Sequence, residues 1–451
     1  MTVTAGSRRL DRGLVAATSL GFAVVQLDVS VVNVAIRPIA RALGGGVSAL
    51  QWVVGAYTIT FAALILTCGA LGDRAGARRV YVVGFTLFTL ASMACGAAPG
   101  VGALIAARAV QGVGAAILVP CSLTLLRHAH PEPDRRGHAI GLWAAGASLA
   151  LSGGPLVGGA LIAALGWRAI FVINLPLGLL GIALTLRCAE ETPRSGARSI
   201  DLPGQLAAIV ALAALAGSLI EGGVRGESSG PVLAGFALAA VAAAGFVLIE
   251  RRRSEPMLPP ALFAIPTFRS AALIGVIINI AFYGLMFVLS LFFQRAQGMS
   301  PLRAGLAFAP MTAVVFAVNI VSGRHSSGRA ARPLVVLGAL SLAGGSLGLL
   351  GADAHTSYSA LVAQLVAIGG GLGLIVPIIT AALLGSVEPS RAGVAAGTLN
   401  SARQSGSVIG VAVCGSLAAG GLVSGLHDSL WLCAAVGIVV IALAPWLRGG
   451  D

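Results

Sequence analysis

Long apolar runs separated by short polar loops dominate the hydropathy pattern of the chain. A helix needs about 20 residues to cross a bilayer, and fourteen apolar runs of roughly this length lie between charged residues, prolines and glycines. They lie near residues 14–36, 49–70, 80–98, 101–125, 138–163, 168–187, 203–221, 231–249, 270–293, 304–322, 333–351, 358–384, 403–423 and 429–447. Short gaps at Pro99–Gly100 and Gly166 divide two stretches that are each too long for a single span. The pattern predicts an all-α integral membrane protein with fourteen transmembrane helices.

The composition excludes several other classes of protein. Only 10% of the residues are charged and 57% are hydrophobic, whereas a soluble domain carries roughly 25% charged residues. An ordinary soluble enzyme and a disordered protein are therefore excluded. The formal net charge is +13, but the arginines are scattered between apolar runs, so we expect no nucleic acid partner. The chain has no lysine, so it has no P-loop, and it leaves no room for a separate ATP-hydrolysing domain.

The distribution of the arginines predicts the orientation of the spans. With the N-terminus inside, the inner segments hold 22 arginines, among them Arg391 and Arg403, and the outer segments hold six. Arg108 is then the single arginine inside a span. This asymmetry follows the positive-inside rule. We therefore expect a multi-pass protein of the cytoplasmic (inner) membrane, surrounded by the lipid bilayer, with both termini in the cytoplasm.

Two features recur at a nearly constant distance along the chain. The segment Gly69–Gly84 between spans 2 and 3 has a weaker echo at Ser322–Gly338, at an offset of 254 residues. The pair Gly154/Gly158 in span 5 matches Gly406/Gly410 at an offset of 252 residues. Parallel repeats of this kind build two helical bundles with a site between them. We predict a six-helix bundle in residues 1–188, a linker with two extra central helices in 189–253, and a second six-helix bundle in 254–451.

Two charged residues are predicted to lie at a similar depth in the membrane. Asp28 is the one acid well inside an apolar run, about 14 residues or roughly 21 Å from the inner end of span 1. Arg108 lies about seven residues, roughly 10 Å, from the outer end of span 4. Both fall in the outer half of a core about 30 Å thick. An uncompensated charge there costs at least about 3 kcal/mol, so the two would neutralise each other if the helices bring them together.

Two further motifs contain clustered glycines. The loop GALGDRAGARR combines glycines for a tight turn with one acid among three arginines, and it is either a gating latch released when the bundles rock or a solvated loop that only sets topology. Its key residues are Gly69, Asp73, Arg74, Gly76, Arg78 and Arg79. Span 5 carries SGGPLVGG, in which proline removes a backbone donor and glycines permit close helix approach. Ordinary helix packing explains that segment equally well.

Together these motifs resemble the major facilitator superfamily, and more narrowly its 14-spanning drug:proton antiporter family. The matching residues are Leu27, Asp28, Val31, Asn33 and Ala35 in span 1, Arg108, Gln111, Gly112 and Gly114 in span 4, and Gly154, Pro155, Gly158 and Gly159 in span 5. The segments Trp167–Leu179 and Gly397–Val413 are also typical of that group. One departure is Arg37, which stands where the span-1 motif usually has proline.

The resemblance implies export of drugs driven by inward proton flow, without a cofactor or metal. Burial favours the protonated form of a carboxylic acid and a neighbouring arginine favours the ionised form, so Asp28 and Arg108 are the expected proton-coupling residues. Adding 254 to their numbers gives Phe282 and Val362, so proton handling is expected in the first six spans. We expect a monomer that binds a lipophilic, neutral or singly charged compound. The candidates for lining its cavity are Gln26, Asn33, Gln111, Trp143, Asn279, Phe282, Phe287, Phe316, Asn319, Gln364 and Gln404.

Three other functions stay open at the level of the sequence. A membrane-embedded enzyme would have to use His128, His130 and His138 in the inner loop after span 4 as metal ligands. That stretch is rich in proline and arginine, which favours a solvated loop. A proton-coupled importer of a small metabolite would have the same buried charges. A passive channel would not need them.

Overall fold

The computed structural model describes residues 5–194, 201–253, 256, 258–323, 331–388 and 392–447, and the secondary structure of these residues is helical throughout. Thirteen of the described helices are long and apolar enough to cross a membrane. Ala392–Gly420 is a further helix of 29 residues, and counting it gives the fourteen spans that the apolar runs predict. The protein is therefore a multi-pass helical membrane protein. Residues 324–330 of the second loop echo lie outside the described residues.

The first half of the chain forms six spans. Their helices are α1 (Ala5–Leu43), α2 (Val47–Ala75), α3 (Ala77–Ala97), α4 (Val101–Ala129), α5 (Pro133–Leu165), α6 (Ala169–Val172) and α7 (Asn174–Cys188). The two short gaps are confirmed, because Gly100 precedes α4 and Gly166, with φ of +83°, ends α5. The short α6 and α7 together make the sixth span, Ala169–Cys188.

The remaining helices follow in the same order as the apolar runs. They are α8 (Leu202–Arg225), α9 (Gly230–Arg252), α10 (Pro260–Phe263), α11 (Pro266–Leu291) with a π-helical turn at Phe292–Ala296, α12 (Pro301–Gly323), α13 (Ala331–Gly348), α14 (Tyr358–Gly385), α15 (Ala392–Gly420) and α16 (Leu422–Leu443). The side of the molecule where α1 begins and α2 ends is named the arginine-rich side, and the opposite one is named the arginine-poor side.

The sequence-based boundary of span 13 is wrong, and so is the position of one arginine. The apolar run begins at 403, but α15 begins at Ala392. Arg403 therefore lies eleven residues into the helix, about 16 Å from its start, and is not a loop residue. A hydropathy count misses the early part of α15 because that part carries several polar residues. The structure accommodates one of them through another helix, since the Ser401 hydroxyl donates to the Ala62 carbonyl of α2 at 3.0 Å.

Equivalent helices of the two halves pack in the same way. The α1–α5 contact is made where Gly158 faces Val31, and the α11–α15 contact is made where Gly410 faces Ile280. The α3–α4 pair of the first half, in which Gly84 lies against Ile117, corresponds to the α13–α14 pair of the second half. Small residues at these contacts let the helix backbones approach closely. The packing thus supports the internal repeat that the glycine spacing predicts, while the domain boundaries at 188 and 253 stay predictions.

The two halves meet along two helix pairs, in each of which the second helix of one half packs on the fifth helix of the other. These pairs are α5–α12 and α2–α15. The extra helix α8 lies along the α2–α15 pair, where its Gln205 donates to the Ala63 carbonyl of α2 at 2.7 Å and accepts a hydrogen bond from Thr67. The extra helix α8 therefore flanks the junction between the bundles, and α9 packs on α8.

The halves are also joined near the arginine-poor side, where α1 meets α11. The Ser290 hydroxyl donates to the Asn33 carbonyl at 2.5 Å, and the Gln294 amide donates to the Val34 carbonyl at 3.1 Å. The Arg37 guanidinium donates to the Gln294 carbonyl. Arg37, the departure from the first-span motif, therefore belongs to this contact. These bonds close the arginine-poor side of the molecule around α1 and α11.

Candidate functional site

A buried ion pair joins α1 to α4 in the middle of the first bundle. The Arg108 guanidinium donates to Asp28 Oδ2 at 2.5 Å, and both side chains are 1% exposed. The sequence places the two residues at similar depth, and the fold turns them toward each other. Because each charge compensates the other, neither is left uncompensated in the low-dielectric interior.

Two amides complete the shell around the Asp28 carboxylate. Gln111, one turn after Arg108 on α4, donates to Asp28 Oδ1 at 2.9 Å and accepts from Arg108 at 2.8 Å. Asn174, the first residue of α7, reaches the same carboxylate oxygen at 3.5 Å and donates to Ser92 on α3 at 3.0 Å. Four helices therefore contribute to one hydrogen-bonded cluster, which we name the Asp28 cluster: Asp28, Ser92, Arg108, Gln111 and Asn174.

Arg108 also has two partners on α2. Its Nε donates to the Val53 carbonyl at 3.1 Å. Its guanidinium carbon lies 4.2 Å from the centre of the Tyr57 ring, a geometry in which the ring face attracts a cation. These contacts connect the guanidinium to α2 as well as to Asp28.

Sequence reasoning missed three residues of this environment: Tyr57, Ser92 and Asn174. Asn174 lies in the segment Trp167–Leu179 and is the one amide in that apolar run, but the sequence analysis assigns it no role. The break between α6 and α7 brings it to the start of a helix, beside Asp28. A lone amide at such a break is the signal that would have found it.

The span-5 motif packs on the helix that carries Asp28 and also on the opposite bundle. A Cβ atom on Gly158 would lie 2.8 Å from a Val31 methyl group, and one on Gly154 would overlap Ser30. On the other face, Gly159 lies against Pro301 and Leu302, and the Pro155 carbonyl lies against Gly305 of α12. The motif therefore connects α1 to the second bundle through one short stretch of α5.

The loop between α2 and α3 is held by a residue that the sequence analysis did not single out. Glu191, just after α7, accepts from the backbone N–H groups of Arg78 at 3.0 Å and Arg79 at 3.3 Å. These N–H groups belong to the first turn of α3, where a carboxylate is favourable. Gly76 has φ of +98°, and a side chain there would meet Glu191. The loop is thus anchored within the first bundle.

The other loop residues have separate positions. Gly69 approaches Pro120 of α4, Asp73 lies near Arg127 at the end of α4, and Arg74 is exposed. Arg78 donates through its side chain to the Leu186 carbonyl at 2.7 Å.

The predicted cavity residues separate into three groups. Gln26 contacts the Tyr283 hydroxyl between the bundles, and Asn279, Phe282 and Phe287 lie on the same helix as Tyr283. Gln111 belongs to the Asp28 cluster, and Asn33 lies at the α1–α11 contact. Among the remaining positions, Gln404 lies on α15, and Phe316 and Asn319 lie on α12. The Trp143 ring stacks on Phe22 with the ring centres 4.2 Å apart. Gln364 lies in the α13–α14 contact beside Gly345 and Gly348. Trp143 and Gln364 thus pack within single bundles.

The three histidines near the α4–α5 loop do not converge. His130 donates through Nδ1 to the Leu126 carbonyl of its own helix at 2.9 Å, whereas His128 and His138 are exposed. Among the residues that the structure describes, no group of three or more His, Cys, Asp or Glu side chains is arranged to hold a metal ion.

Comparison with known proteins agrees with this architecture. A sequence profile described as the Major Facilitator Superfamily matches residues 18–411. The chain belongs to this superfamily. It is a transporter of that fold, and the resemblance seen in its motifs is confirmed at the level of the family.

Two relatives from the superfamily are named for drug resistance. The methylenomycin A resistance protein of Streptomyces coelicolor is 42% identical over 416 residues, covering 92% of this chain and 87% of that protein. The multidrug resistance protein Stp of Mycobacterium tuberculosis is 38% identical over 414 residues, covering 92% and 77%.

Solved superfamily structures share the fold. The human organic anion transporter MFSD10 matches with a TM-score of 0.66 at 16% identity, covering 96% of this chain and 99% of that one. A bacterial homologue of the human lysosomal transporter Spinster, solved in an inward-facing conformation, matches with a TM-score of 0.64, also at 16% identity, covering 99% and 97%.

Proposed function

We propose that this superfamily member exports drug-like compounds across the cytoplasmic membrane in exchange for protons, with both termini in the cytoplasm and no cofactor. The observation that carries the proposal is the Asp28 cluster. It holds a carboxylate that is 2% exposed, on the helix that also forms the contact with the second bundle. The resistance names of the relatives support a drug as the cargo.

Protonation is the step at which the Asp28 cluster would couple to transport. An ionised Asp28 attracts Arg108 and accepts from Gln111, and a protonated Asp28 loses the attraction between opposite charges. The bonds from Ser290 and Gln294 to α1 lie five and six residues beyond Asp28, about 8–9 Å along the helix. A shift of α1 on protonation would therefore reach the contact that closes the arginine-poor side.

Coupling requires that proton and drug favour different arrangements of the bundles. In this proposal the proton binds inside the first bundle, and the drug binds between the bundles. The contact of the span-5 motif with both α1 and α12 supports such a link. Substrate and proton need not touch each other.

The test uses everted membrane vesicles from a bacterial host that lacks its own drug exporters. The vesicle interior is made more acid than the bath, and uptake of methylenomycin A and a panel of drugs is measured. We expect uptake that stops when the pH gradient is collapsed. We expect Asp28→Asn to abolish it while the protein still inserts, because the substituted amide cannot release a proton.

Glu221→Gln provides a matched control, since Glu221 is an acid paired with Arg225 at the membrane edge. This variant should transport like the wild type. Uptake that ignores the gradient would instead support a passive channel, and gradient-driven movement in the opposite direction would support an importer. Normal proton-coupled uptake by Asp28→Asn would remove Asp28 from the mechanism.

A further inference from the structure

A second arginine lies inside the membrane-spanning region, and the described residues offer it no acid. Arg403 is part-buried in α15, and a Cβ atom on Gly275 of α11 would lie 3.4 Å from its Cγ. No Asp or Glu of the described residues forms an ion pair with it, whereas Arg108 has Asp28. Arg403 therefore leaves an uncompensated positive charge at mid-depth, which is costly in this environment.

Two neutral polar side chains lie in the neighbourhood of Arg403. Its charge lies within electrostatic range of the Tyr283 hydroxyl, and the Gln26 side chain contacts the same hydroxyl. Tyr283 is 5% exposed and Gln26 is 7% exposed. The three side chains come from α15, α11 and α1, so the cluster lies between the two bundles, where a transported molecule would bind.

The cluster lies on the face of α1 opposite to the proton site. Gln26 and Asp28 are two residues apart, which turns their side chains about 200° from each other around the helix axis. Tyr57 lies between the two sites, because its ring faces Arg108 and its hydroxyl is within electrostatic range of both Asp28 and Tyr283. One helix thus separates a neutralised ion pair from an unneutralised cation.

We infer that Arg403, Tyr283 and Gln26 form a subsite for the carboxylate of a lipophilic organic anion. This inference rests on the proposed export function and specifies its substrate class. A guanidinium binds a carboxylate through two parallel hydrogen bonds, and the tyrosine hydroxyl and glutamine amide add neutral donors. A bound carboxylate supplies the negative charge that compensates the guanidinium of Arg403. The Asp28–Arg108 pair is neutral as a whole and does not oppose an anion.

The test compares aromatic carboxylates with their own primary amides, which have nearly the same shape but no charge. Indole-3-acetate and indole-3-acetamide, 2-naphthylacetate and its amide, and 4-phenylbenzoate and its amide form the panel. The affinity of each compound for the detergent-purified full-length protein is measured without any pH gradient, by ligand titration and by the shift in the thermal unfolding midpoint. We expect carboxylates to bind at least tenfold more tightly than their amides.

The variants assign that preference to a residue. Arg403→Gln should reduce the ratio of affinities to near one, and Arg403→Lys, which keeps the charge, should retain part of it. Arg269→Gln is the control, because Arg269 is exposed near the start of α11 and its loss should leave the ratio unchanged. Thermal unfolding without ligand reports whether each variant is folded.

Two outcomes would overturn the inference: no carboxylate binds more tightly than its amide, or the preference persists in Arg403→Gln. The result is independent of proton coupling, since Asp28→Asn is expected to retain the carboxylate preference while losing gradient-driven uptake. Failure of the subsite and failure of the export mechanism are therefore seen in different measurements.

Discussion

At the scale of single residues, the molecule surrounds one buried acid with hydrogen-bond donors from three other residues. Arg108, Gln111 and Asn174 each point a donor at Asp28. Removing one partner of a buried ion pair leaves the other charge without compensation, and this costs more than removing both. The Asp28–Arg108 pair should therefore show strong non-additivity.

We predict that Arg108→Gln lowers the free energy of unfolding by about 3–5 kcal/mol, and that the double variant Asp28→Asn/Arg108→Gln recovers at least half of this loss. Thermal unfolding in detergent measures all four members of the cycle. The exposed pair Glu221/Arg225, with side chains 38% and 59% exposed, serves as a control cycle with an expected effect below about 1 kcal/mol. Additive losses at positions 28 and 108 would contradict the ion-pair interpretation.

At the scale of elements, glycines at the helix contacts determine how closely α1 packs against its neighbours, because glycine has no side chain. Gly158 has Val31 of α1 against it, whereas nothing lies within 4 Å of a Cβ atom placed on Gly153. The two glycines belong to the same helix, so they offer a matched comparison. Inserting carbon atoms into a filled contact typically costs about 1–3 kcal/mol.

We predict that Gly158→Ala lowers the midpoint of thermal unfolding and slows gradient-driven uptake severalfold, because it forces α1 away from α5. Gly153→Ala should change neither quantity measurably. Unfolding in detergent and vesicle uptake are measured on matched amounts of inserted protein. Equal behaviour of the two variants would show that the motif does not act through the α1–α5 contact.

At the scale of the whole molecule, the structure is joined on the arginine-poor side. Gly159 of α5 lies against α12, where a Cβ atom would be 2.9 Å from the Leu302 Cα. Alternating access requires that contacts of this kind separate during each cycle. A side chain added at this contact should push α5 and α12 apart and disturb the cycle.

We predict that Gly159→Ala lowers gradient-driven uptake severalfold, because its Cβ atom would lie 2.9 Å from the Leu302 Cα and 2.8 Å from the Pro301 carbonyl oxygen, so that α5 and α12 have to separate. Gly153→Ala is again the control, because nothing lies within 4 Å of a Cβ atom at that position. Vesicle uptake is measured on matched amounts of inserted protein. Normal uptake by Gly159→Ala would contradict a role for this contact in alternating access.

The family, the number of spans and the Asp28–Arg108 pair could all be predicted from the sequence. Apolar runs of membrane-spanning length are a strong one-dimensional signal, and two charges isolated in such runs have few other partners. Trp143 and Gln364 were less predictable, because a polar or aromatic residue in a span has the same appearance whether it faces a cavity or a neighbouring helix. Their positions depend on the rotation of each helix about its own axis.

Composition and spacing alone are enough to show that this chain lies in a membrane, repeats its helices and carries a buried acid, because these properties belong to the order of residues along one chain. Three-dimensional packing was needed to show that Glu191 anchors the loop before α3, that Asn174 completes the Asp28 cluster, and that Arg403 lies inside a helix. Each of these depends on residues distant in the chain: Ser401 on α15, for example, donates to the Ala62 carbonyl of α2, and no local hydropathy window includes such a partner.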